Sequence, residues 1–278
     1  MMRPKTQHSI SIALKLLPLC ILFSFLLLIL LITWSFTPTK QQIQPPTTTS
    51  DCTKIPSSLA QALLHYSTSN ITPQQTKQEI SVTLRVLEKK SPCNFLVFGL
   101  GHDSLMWASL NHGGRTVFLE EDAYWIRDIA RQLPAMESHH VAYNTKLPDA
   151  DRLLSVGLRD EGCRVVTDPR ISKCELVIKG LKKEVYETEW DLIMVDAPTG
   201  WHDGAPGRMG AVYTAGLMAR NRSPNRETRV FVHDVDRAVE DKFSKAFLCE
   251  GYLVEEVGRL RHFAIPSHRT RPGVPFCP

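Results

Sequence analysis

The sequence predicts an α/β fold with a mostly parallel sheet that ends in an antiparallel hairpin. Short runs rich in β-branched residues alternate with amphipathic helical segments along most of the chain, and such alternation is typical of a parallel sheet covered by helices. The last two expected strands, residues 252–257 and 259–266, are separated only by a turn near Gly258. A connection this short joins antiparallel strands.

Local patterns place each element in order. Residues 57–68 and 73–90 have helical apolar spacing and form a small helical layer before the sheet, and Thr72 with Pro73 is the expected start of the second helix. Residues 160–181 fit no strong period and are interpreted as an insertion. The expected strands are residues 94–98, 116–119, 139–143, 190–195 and 229–233. The expected helices between them are residues 104–110, 122–132, 148–156, 208–221 and 236–248.

The N-terminal region predicts a membrane-anchored protein. Residues 16–36 are almost entirely apolar and long enough for the about 20 residues that cross a bilayer. Basic side chains in residues 1–15 make this tail cytoplasmic. Residues 37–56 form a stalk rich in Thr, Pro and Gln, and residues 57–278 form a lumenal domain. This order is typical of Golgi enzymes, so we expect a single-pass type II protein of the Golgi membrane. A cleaved signal peptide is the alternative.

The formal net charge of +4 does not indicate a nucleic-acid partner. The excess comes from four basic residues among the first 50, which contain no acidic residue. The remaining chain is formally neutral and lacks the basic surface that binding to a phosphate backbone requires.

Six of the seven cysteines lie beyond the expected anchor, where an oxidising lumen permits disulfides. Many pairings are open to six cysteines. We expect Cys163 to pair with Cys174, and Cys249 with Cys277. No pair has CxxC spacing, so the sequence does not support a zinc site. Asn70 begins an Asn-Ile-Thr sequon, which would be glycosylated in the lumen.

The end of the first expected strand has the features of a cofactor-binding turn. Gly99 and Gly101 allow a ligand to approach the backbone, and Glu120 follows about 20 residues later, the spacing of an acid that binds a ribose. Ser104 stands where a phosphate-binding turn would have a third glycine, and Asp103 would repel a phosphate. These residues favour S-adenosylmethionine, whose ammonium group suits Asp103. A plain tight turn is the alternative.

Acidic residues also end the fourth and fifth expected strands. Asp196 follows one strand, and His233 and Asp234 follow the next. Because these ends are neighbours in the expected sheet, the three residues are predicted to form the catalytic edge. Asp196 and Asp234 are candidate ligands of a divalent cation that would lower the pKa of an acceptor hydroxyl. His102 is a candidate base, and a structural or exposed imidazole is its alternative role.

A loop rich in Gly and Pro, residues 197–209, covers this edge. Trp201 is expected to stack on a sugar ring, and His202 is a second candidate base and substrate-binding residue. Arg208 has two interpretations: it grips the carboxylate of a uronate, or it stabilises the loop by bonding backbone carbonyls.

Several blocks of sequence resemble a plant family of Golgi proteins that act on xylan, the irregular-xylem and glucuronoxylan 4-O-methyltransferase family. The matching blocks are CNFLVFGLGHDSLMWASLN, TVFLEED, EWDLIMVDAP, APGRM, MARNR, VFVHD and the segment from FLCEGY to GRLRHF. They cover nearly all of residues 60–278. The resemblance implies a methyltransferase-like Rossmann sheet and a role in xylan biosynthesis in secondary cell walls, with S-adenosylmethionine at Gly99, Gly101 and Glu120.

Thr199, Arg261 and the PFCP ending resemble the irregular-xylem-fifteen branch more than the glucuronoxylan branch. The implied partners are glucuronoxylan, the Golgi membrane and the xylan synthesis proteins. Besides a methyltransferase, the sequence leaves open a non-catalytic protein that supports xylan synthesis. A glycosyltransferase is a third hypothesis, based on two Asp-x-Asp motifs that begin at Asp149 and Asp234.

Overall fold

The computed structural model describes Leu26, residues 55–269 and residues 274–278. Apart from Leu26, the described residues belong to one compact unit, Lys54–Pro278. Apart from Leu26, the expected tail and anchor lie outside the described residues, as does almost all of the stalk. Within the described part of the chain, no helix combines the length and apolar character that crossing a membrane requires.

One seven-stranded sheet organises the unit, in the order β3-β2-β1-β4-β5-β7-β6. Strands β1 to β5 run parallel, and β7 is antiparallel to both β5 and β6. This is a methyltransferase-like Rossmann sheet with antiparallel C-terminal strands, as the sequence predicts. The strands are Asn94–Phe98 (β1), Arg115–Glu120 (β2), Glu137–His140 (β3), Leu192–Val195 (β4), Glu227–Val232 (β5), Leu253–Val257 (β6) and Leu260–Pro266 (β7).

Helices cover both faces of the sheet, so the central strands are buried on both sides. All four residues of β4 are buried, and so are all twelve of α8, which packs on β4, β5 and β7. Burial on both faces explains why the central strands are continuous apolar runs. The helices are Ser57–Thr68 (α1), Lys77–Lys90 (α2), Ser104–Leu110 (α3), Ala123–Gln132 (α4), Ala150–Arg159 (α5), Glu161–Arg164 (α6), Lys183–Glu187 (α7), Met209–Arg220 (α8) and Ala238–Phe243 (α9). A π-helical segment, Ser244–Cys249, continues α9.

Several expected boundaries differ from the structure by a few residues, and the reason is clear for two of them. Helix α2 begins at Lys77 because Thr76, and not Thr72, caps it: the Thr76 hydroxyl accepts from the backbone N–H of Glu79, whose carboxylate accepts from the N–H of Thr76. This capping box satisfies two N–H groups at the helix start. Strand β3 starts at Glu137, two residues before its expected start, and ends at His140, three residues before its expected end, because it pairs with β2 only as far as Glu120.

The stretch read as an insertion is partly a core element. Leu176, Ile178 and Leu181 are buried in the cluster that packs against one face of the sheet, so the second half of residues 160–181 belongs to the core. The pairing of Cys163 with Cys174 is confirmed, and so is that of Cys249 with Cys277. Cys93 is a buried free thiol.

Gly157 in α5 provides a test of core packing. A Cβ atom at this position would lie 2.7 Å from Cδ1 of Leu176 and would also clash with the ring of Phe247. We expect Gly157→Ala to lower the free energy of unfolding by about 1–3 kcal/mol, although alanine normally favours a helix. Urea unfolding followed by circular dichroism measures the change. The matched control is Arg159→Ala on the exposed side of α5, expected to change stability by less than about 0.5 kcal/mol. Equal or greater stability of Gly157→Ala would contradict the packing.

Candidate active site

The turn after β1 is closed by the residue that replaces the third glycine. The backbone N–H of Gly101 donates to Oγ of Ser104 at 2.9 Å. Gly99 has φ +124°, and a Cβ there would lie 3.2 Å from Cβ of Ala197. Because non-glycine residues rarely adopt this φ, Gly99 is required for the turn to pass close to the end of β4.

Glu120 lies at the end of β2, beside this turn. Its two carboxylate oxygens accept from the backbone N–H groups of Leu100 at 3.1 Å and Asp122 at 2.9 Å. Burial raises the pKa of Glu120, and the charge of Glu121 adds to the rise, whereas the backbone donors oppose it. These bonds fix the carboxylate at the wall of the cavity that the turn encloses.

All four residues predicted to bind the cofactor line one cavity: Gly99, Gly101, Asp103 and Glu120. The cavity measures about 730 Å³ including its part open to solvent. Burial and the charge of Asp196 raise the pKa of Asp103, whose carboxylate accepts from the indole N–H of Trp107 at 2.9 Å.

The catalytic edge predicted from the sequence also forms. Val195 of β4 pairs with Val232 of β5, so the residues that follow them are neighbours. Nδ1 of His233 lies 3.0 Å from Oδ1 of Asp196 and 3.4 Å from Oδ1 of Asp234. Asp196 also lines the cofactor cavity. The sheet therefore brings the predicted catalytic residues and the predicted cofactor residues to one place.

His233 is completely buried, so it faces other protein groups and not solvent. Its Nε2 lies 3.8 Å from Oε2 of Glu79. Burial lowers the pKa of His233, but the hydrogen bond and charge of Asp196, together with the charge of Asp234, raise it overall. Burial likewise opposes ionisation of Asp196, but His233 and Arg208 outweigh it and lower the pKa of Asp196. Both shifts favour the ionised pair, in which Asp196 is the partly exposed member.

Arg208 stabilises the loop by bonding backbone carbonyls, which is the second of its two predicted roles. Its guanidinium donates to the backbone carbonyls of Pro198 at 3.3 Å, His233 at 2.8 Å and Asp196 at 2.7 Å. It also lies 3.2 Å from the Asp196 carboxylate and 2.8 Å from that of Asp234. The side chain is 5% exposed. Its donors are therefore committed within the protein, and the expected contact with a uronate is not available in this arrangement.

Sequence patterns do not point to three further members of this cluster. Nε2 of Gln75 donates to Oδ2 of Asp196 at 3.0 Å, from the segment before α2. Arg237 and Arg259 pair with Asp234 at 3.0 and 2.7 Å. Gln75 and Arg259 come from parts of the chain far from Asp196 and Asp234, so no local motif contains them, whereas Arg237 pairs with Asp234 three residues before it. Asp234 itself has φ +60°, a left-handed conformation that Asp tolerates better than most residues.

The other predicted substrate residues lie on the surface. Trp201 is 75% exposed, and its ring contacts that of His202 edge to face, with centroids 4.7 Å apart. His102 is exposed beside the cofactor cavity. Of the Asp-x-Asp motifs, Asp151 pairs with Lys242 at 2.9 Å. The acids of the second motif include Asp234, which is already paired with arginines, so neither motif forms a separate cluster.

Comparison with known proteins identifies the family. The match to the IRX15/IRX15L/GXM family spans residues 78–263. The chain belongs to this family. Glucuronoxylan 4-O-methyltransferase 2 of Arabidopsis thaliana is 58% identical over 284 residues, covering 100% of this chain and 98% of the relative. Glucuronoxylan 4-O-methyltransferase 3 of the same plant is 66% identical over 231 residues, covering 83% and 77%.

The expected placement nearest the irregular-xylem-fifteen branch is wrong. IRREGULAR XYLEM 15 and IRX15-LIKE of Arabidopsis thaliana are 39% and 40% identical, well below the glucuronoxylan relatives. The two marker residues have local structural roles: Thr199 donates to Glu121 at 3.2 Å, and Arg261 pairs with Glu256 at 2.6 Å.

Among solved structures, an O-methyltransferase from Bacillus cereus in complex with SAH has TM-score 0.41 and 13% identity, covering 77% of this chain and 94% of that one.

The Asp196–His233 pair predicts a characteristic pH dependence. The pKa of Asp196 is lowered, so its contribution to stability is present above about 3.9 and is lost as pH falls through its folded value. The pKa of His233 is raised, so its contribution is complete below about 6.5 and is lost as pH rises through its folded value. The coupling between them should therefore be largest at about pH 5.5 and smaller at about pH 9.

A double-mutant cycle with Asp196→Asn and His233→Asn measures this coupling by urea unfolding at both pH values. We expect about 0.5–3 kcal/mol at the lower pH. The cycle cancels the loss of stability that each substitution causes by itself and leaves the interaction free energy of the pair. A coupling free energy that is equal at the two pH values, or larger at the higher one, would show that the pair is not ionised as the geometry indicates.

Proposed function

We propose that this protein is an S-adenosylmethionine-dependent O-methyltransferase that acts on a sugar hydroxyl of glucuronoxylan. The observation that carries the proposal is the position of Asp196, a partly exposed carboxylate in the wall of the cavity that Gly99, Gly101 and Glu120 also line. The acceptor follows from the relatives named glucuronoxylan 4-O-methyltransferases, which are 58–66% identical. A relative named arabinogalactan O-methyltransferase, at 52% identity, makes arabinogalactan the second candidate acceptor.

S-adenosylmethionine supplies an electrophilic methyl group when it is bound. Transfer requires the acceptor oxygen to attack the methyl carbon while the carbon–sulfur bond breaks, and the hydroxyl proton must leave. Asp196 is the group that takes this proton in the proposal. Gln75 and His233 orient its carboxylate through bonds of 3.0 Å each. Glu120 would hold the ribose, and Asp103 would neutralise the ammonium of the amino-acid tail, because both residues line the cavity.

The sequence predicts Asp196 and Asp234 as candidate ligands of a divalent cation that would activate the hydroxyl. One ligand atom from each of these residues and from His233 lies within 4.8 Å of the others. However, Arg208 already lies 3.2 and 2.8 Å from the two carboxylates, and Arg237 and Arg259 also pair with Asp234. The arrangement does not fit a cation while Arg208 remains there, so the proposed reaction uses none.

The proposal includes the cellular setting indicated by the N-terminal sequence. Apolar residues 16–36 anchor the protein in the Golgi membrane, with the domain in the lumen where xylan is made. Two disulfides suit that oxidising compartment. Xylan synthesis proteins are the proposed partners, and a supporting role without catalysis is the alternative function.

Two substitutions separate cofactor binding from transfer. We expect Glu120→Ala to weaken binding of S-adenosylmethionine, measured by calorimetry, because the ribose loses its acceptor. Asp196→Asn should bind the cofactor almost normally but lose at least about 100-fold in kcat, because general-base catalysis contributes about 10²–10⁴-fold. Transfer is measured with radiolabelled cofactor and glucuronate-substituted xylo-oligosaccharides.

The wild-type protein and Asp128→Asn, a change on the exposed face of α4, serve as references. Normal transfer by Asp196→Asn would contradict its role as base. If the wild-type protein binds neither cofactor nor acceptor, and the Asp196→Asn protein restores xylan deposition to a plant that lacks the wild-type protein, the supporting role replaces the enzymatic one.

Chelation tests whether a cation takes part. After treatment with EDTA and dialysis, we expect unchanged binding of S-adenosylmethionine and an unchanged transfer rate, because Arg208 already supplies positive charge between Asp196 and Asp234. Calorimetry with Mn²⁺ or Co²⁺ should show no saturable binding to the wild-type protein. Loss of transfer on chelation, with recovery on adding Mn²⁺ or Co²⁺, would show that a cation displaces Arg208.

A further inference from the structure

Since Arg208 is committed to internal partners, another cation must recognise any acidic group of the acceptor. Among the described residues, two arginines pair with Asp234 and remain partly exposed. The side chains of Arg237 and Arg259 are 32% and 38% exposed, compared with 5% for Arg208. Both therefore border the catalytic edge and are accessible to solvent.

Arg259 is held on three sides by the protein. Its guanidinium lies 2.7 Å from Oδ1 of Asp234 and donates to the carbonyl of Gln74 at 3.1 Å. Its backbone N–H donates to Oε1 of Glu79 at 2.6 Å. Gln74 belongs to the segment that lines the cofactor cavity. Arg259 thus braces a wall of the cofactor cavity.

Arg237 has fewer partners. Its Nη2 lies 3.0 Å from Oδ2 of Asp234, the oxygen that also faces Arg208 at 2.8 Å. A Cβ added to Gly200 would lie 3.6 Å from Nη1 of Arg237. The guanidinium is therefore next to the loop that carries Trp201, which is 75% exposed.

The local charge still favours an anion when both paired carboxylates are counted. The three guanidiniums of Arg208, Arg237 and Arg259 face two carboxylates, those of Asp196 and Asp234. Glu240 is the other acid near Arg237, and it is fully buried beneath Gly200. Burial raises the pKa of Glu240 in spite of the charge of Arg208, which weakens its competition for Arg237.

We propose that Arg237 binds the carboxylate of a hexuronate in the acceptor and thereby selects uronate-bearing polysaccharides. This inference rests on the proposed function. In a hexuronate the carboxyl carbon is attached to C5, next to the hydroxyl on C4. Arg208 contacts both Asp196 and Asp234, and Arg237 contacts Asp234, so the proposed base and the proposed anchor belong to one cluster of ion pairs. A guanidinium binds a carboxylate through two parallel hydrogen bonds, and Trp201 offers a face for the sugar ring.

The test compares Arg237→Gln, Arg237→Lys and Arg259→Gln in the full-length protein. Arg131→Gln, which removes an exposed arginine from α4, is the reference. Calorimetry with S-adenosylhomocysteine present measures binding of a glucuronate-substituted xylo-oligosaccharide and of its carboxyl-reduced counterpart. The same variants are assayed for kcat, KM and cofactor affinity.

We expect Arg237→Gln to weaken binding of the uronate oligosaccharide and raise its KM by about tenfold to a hundredfold. Binding of the carboxyl-reduced oligosaccharide and of the cofactor should stay unchanged, and Arg237→Lys should recover part of the loss. Arg259→Gln should instead weaken binding of the cofactor, because Arg259 contacts the segment that lines the cofactor cavity. Both substitutions remove one positively charged partner of Asp234. A difference between them therefore cannot be explained by the loss of charge alone.

An unchanged KM for the uronate acceptor in Arg237→Gln would overturn the inference. So would an equal loss with the carboxyl-reduced acceptor, or an equal effect of Arg259→Gln on uronate binding, since either result assigns Arg237 to charge balance alone. Failure of the proposed function looks different: the wild-type protein then binds the uronate oligosaccharide without methylating it, and the binding data still decide the role of Arg237.

Discussion

The active-site edge depends on one buried ion pair cluster, in which Arg208 lies between Asp196 and Asp234. Burying two carboxylates is costly unless a cation and hydrogen bonds compensate them. Arg208 compensates both and also donates to carbonyls at the ends of β4 and β5. The ends of two strands and the loop that begins at Ala197 are therefore held by a single side chain. Removing it would leave uncompensated buried charge.

The helical layer completes this edge from the other side. Glu79 caps α2 through the N–H of Thr76, and its second oxygen accepts from the N–H of Arg259 in the turn between β6 and β7. Gln75, just before the helix, bonds Asp196. The same few residues thus cap a helix, attach it to the sheet and orient the carboxylate beside the cofactor cavity. Stability and catalysis share these contacts, so substitutions here need separate measurements of folding and binding.

Sequence reasoning identified the sheet and most of the cavity wall because both depend on local patterns. Gly99, Gly101 and Glu120 follow strands that are recognisable as apolar runs, and the ends of parallel strands must meet at one edge. The same logic found Asp196, His233 and Asp234. It did not find Gln75, whose partner is more than a hundred residues away in the chain, and it gave no means to choose between the two roles of Arg208.

The sequence by itself therefore determined that the sheet is mostly parallel, that it ends in antiparallel strands, and which side chains stand at each strand end. These features follow from alternation, turn length and residue type, which are properties of neighbouring residues. Only the tertiary structure decided which charges neutralise one another. Arg208, Arg237 and Arg259 are equivalent as residue types, but their exposures of 5%, 32% and 38% separate a buried brace from groups that face solvent. These exposures depend on contacts between distant segments, and no local pattern encodes them.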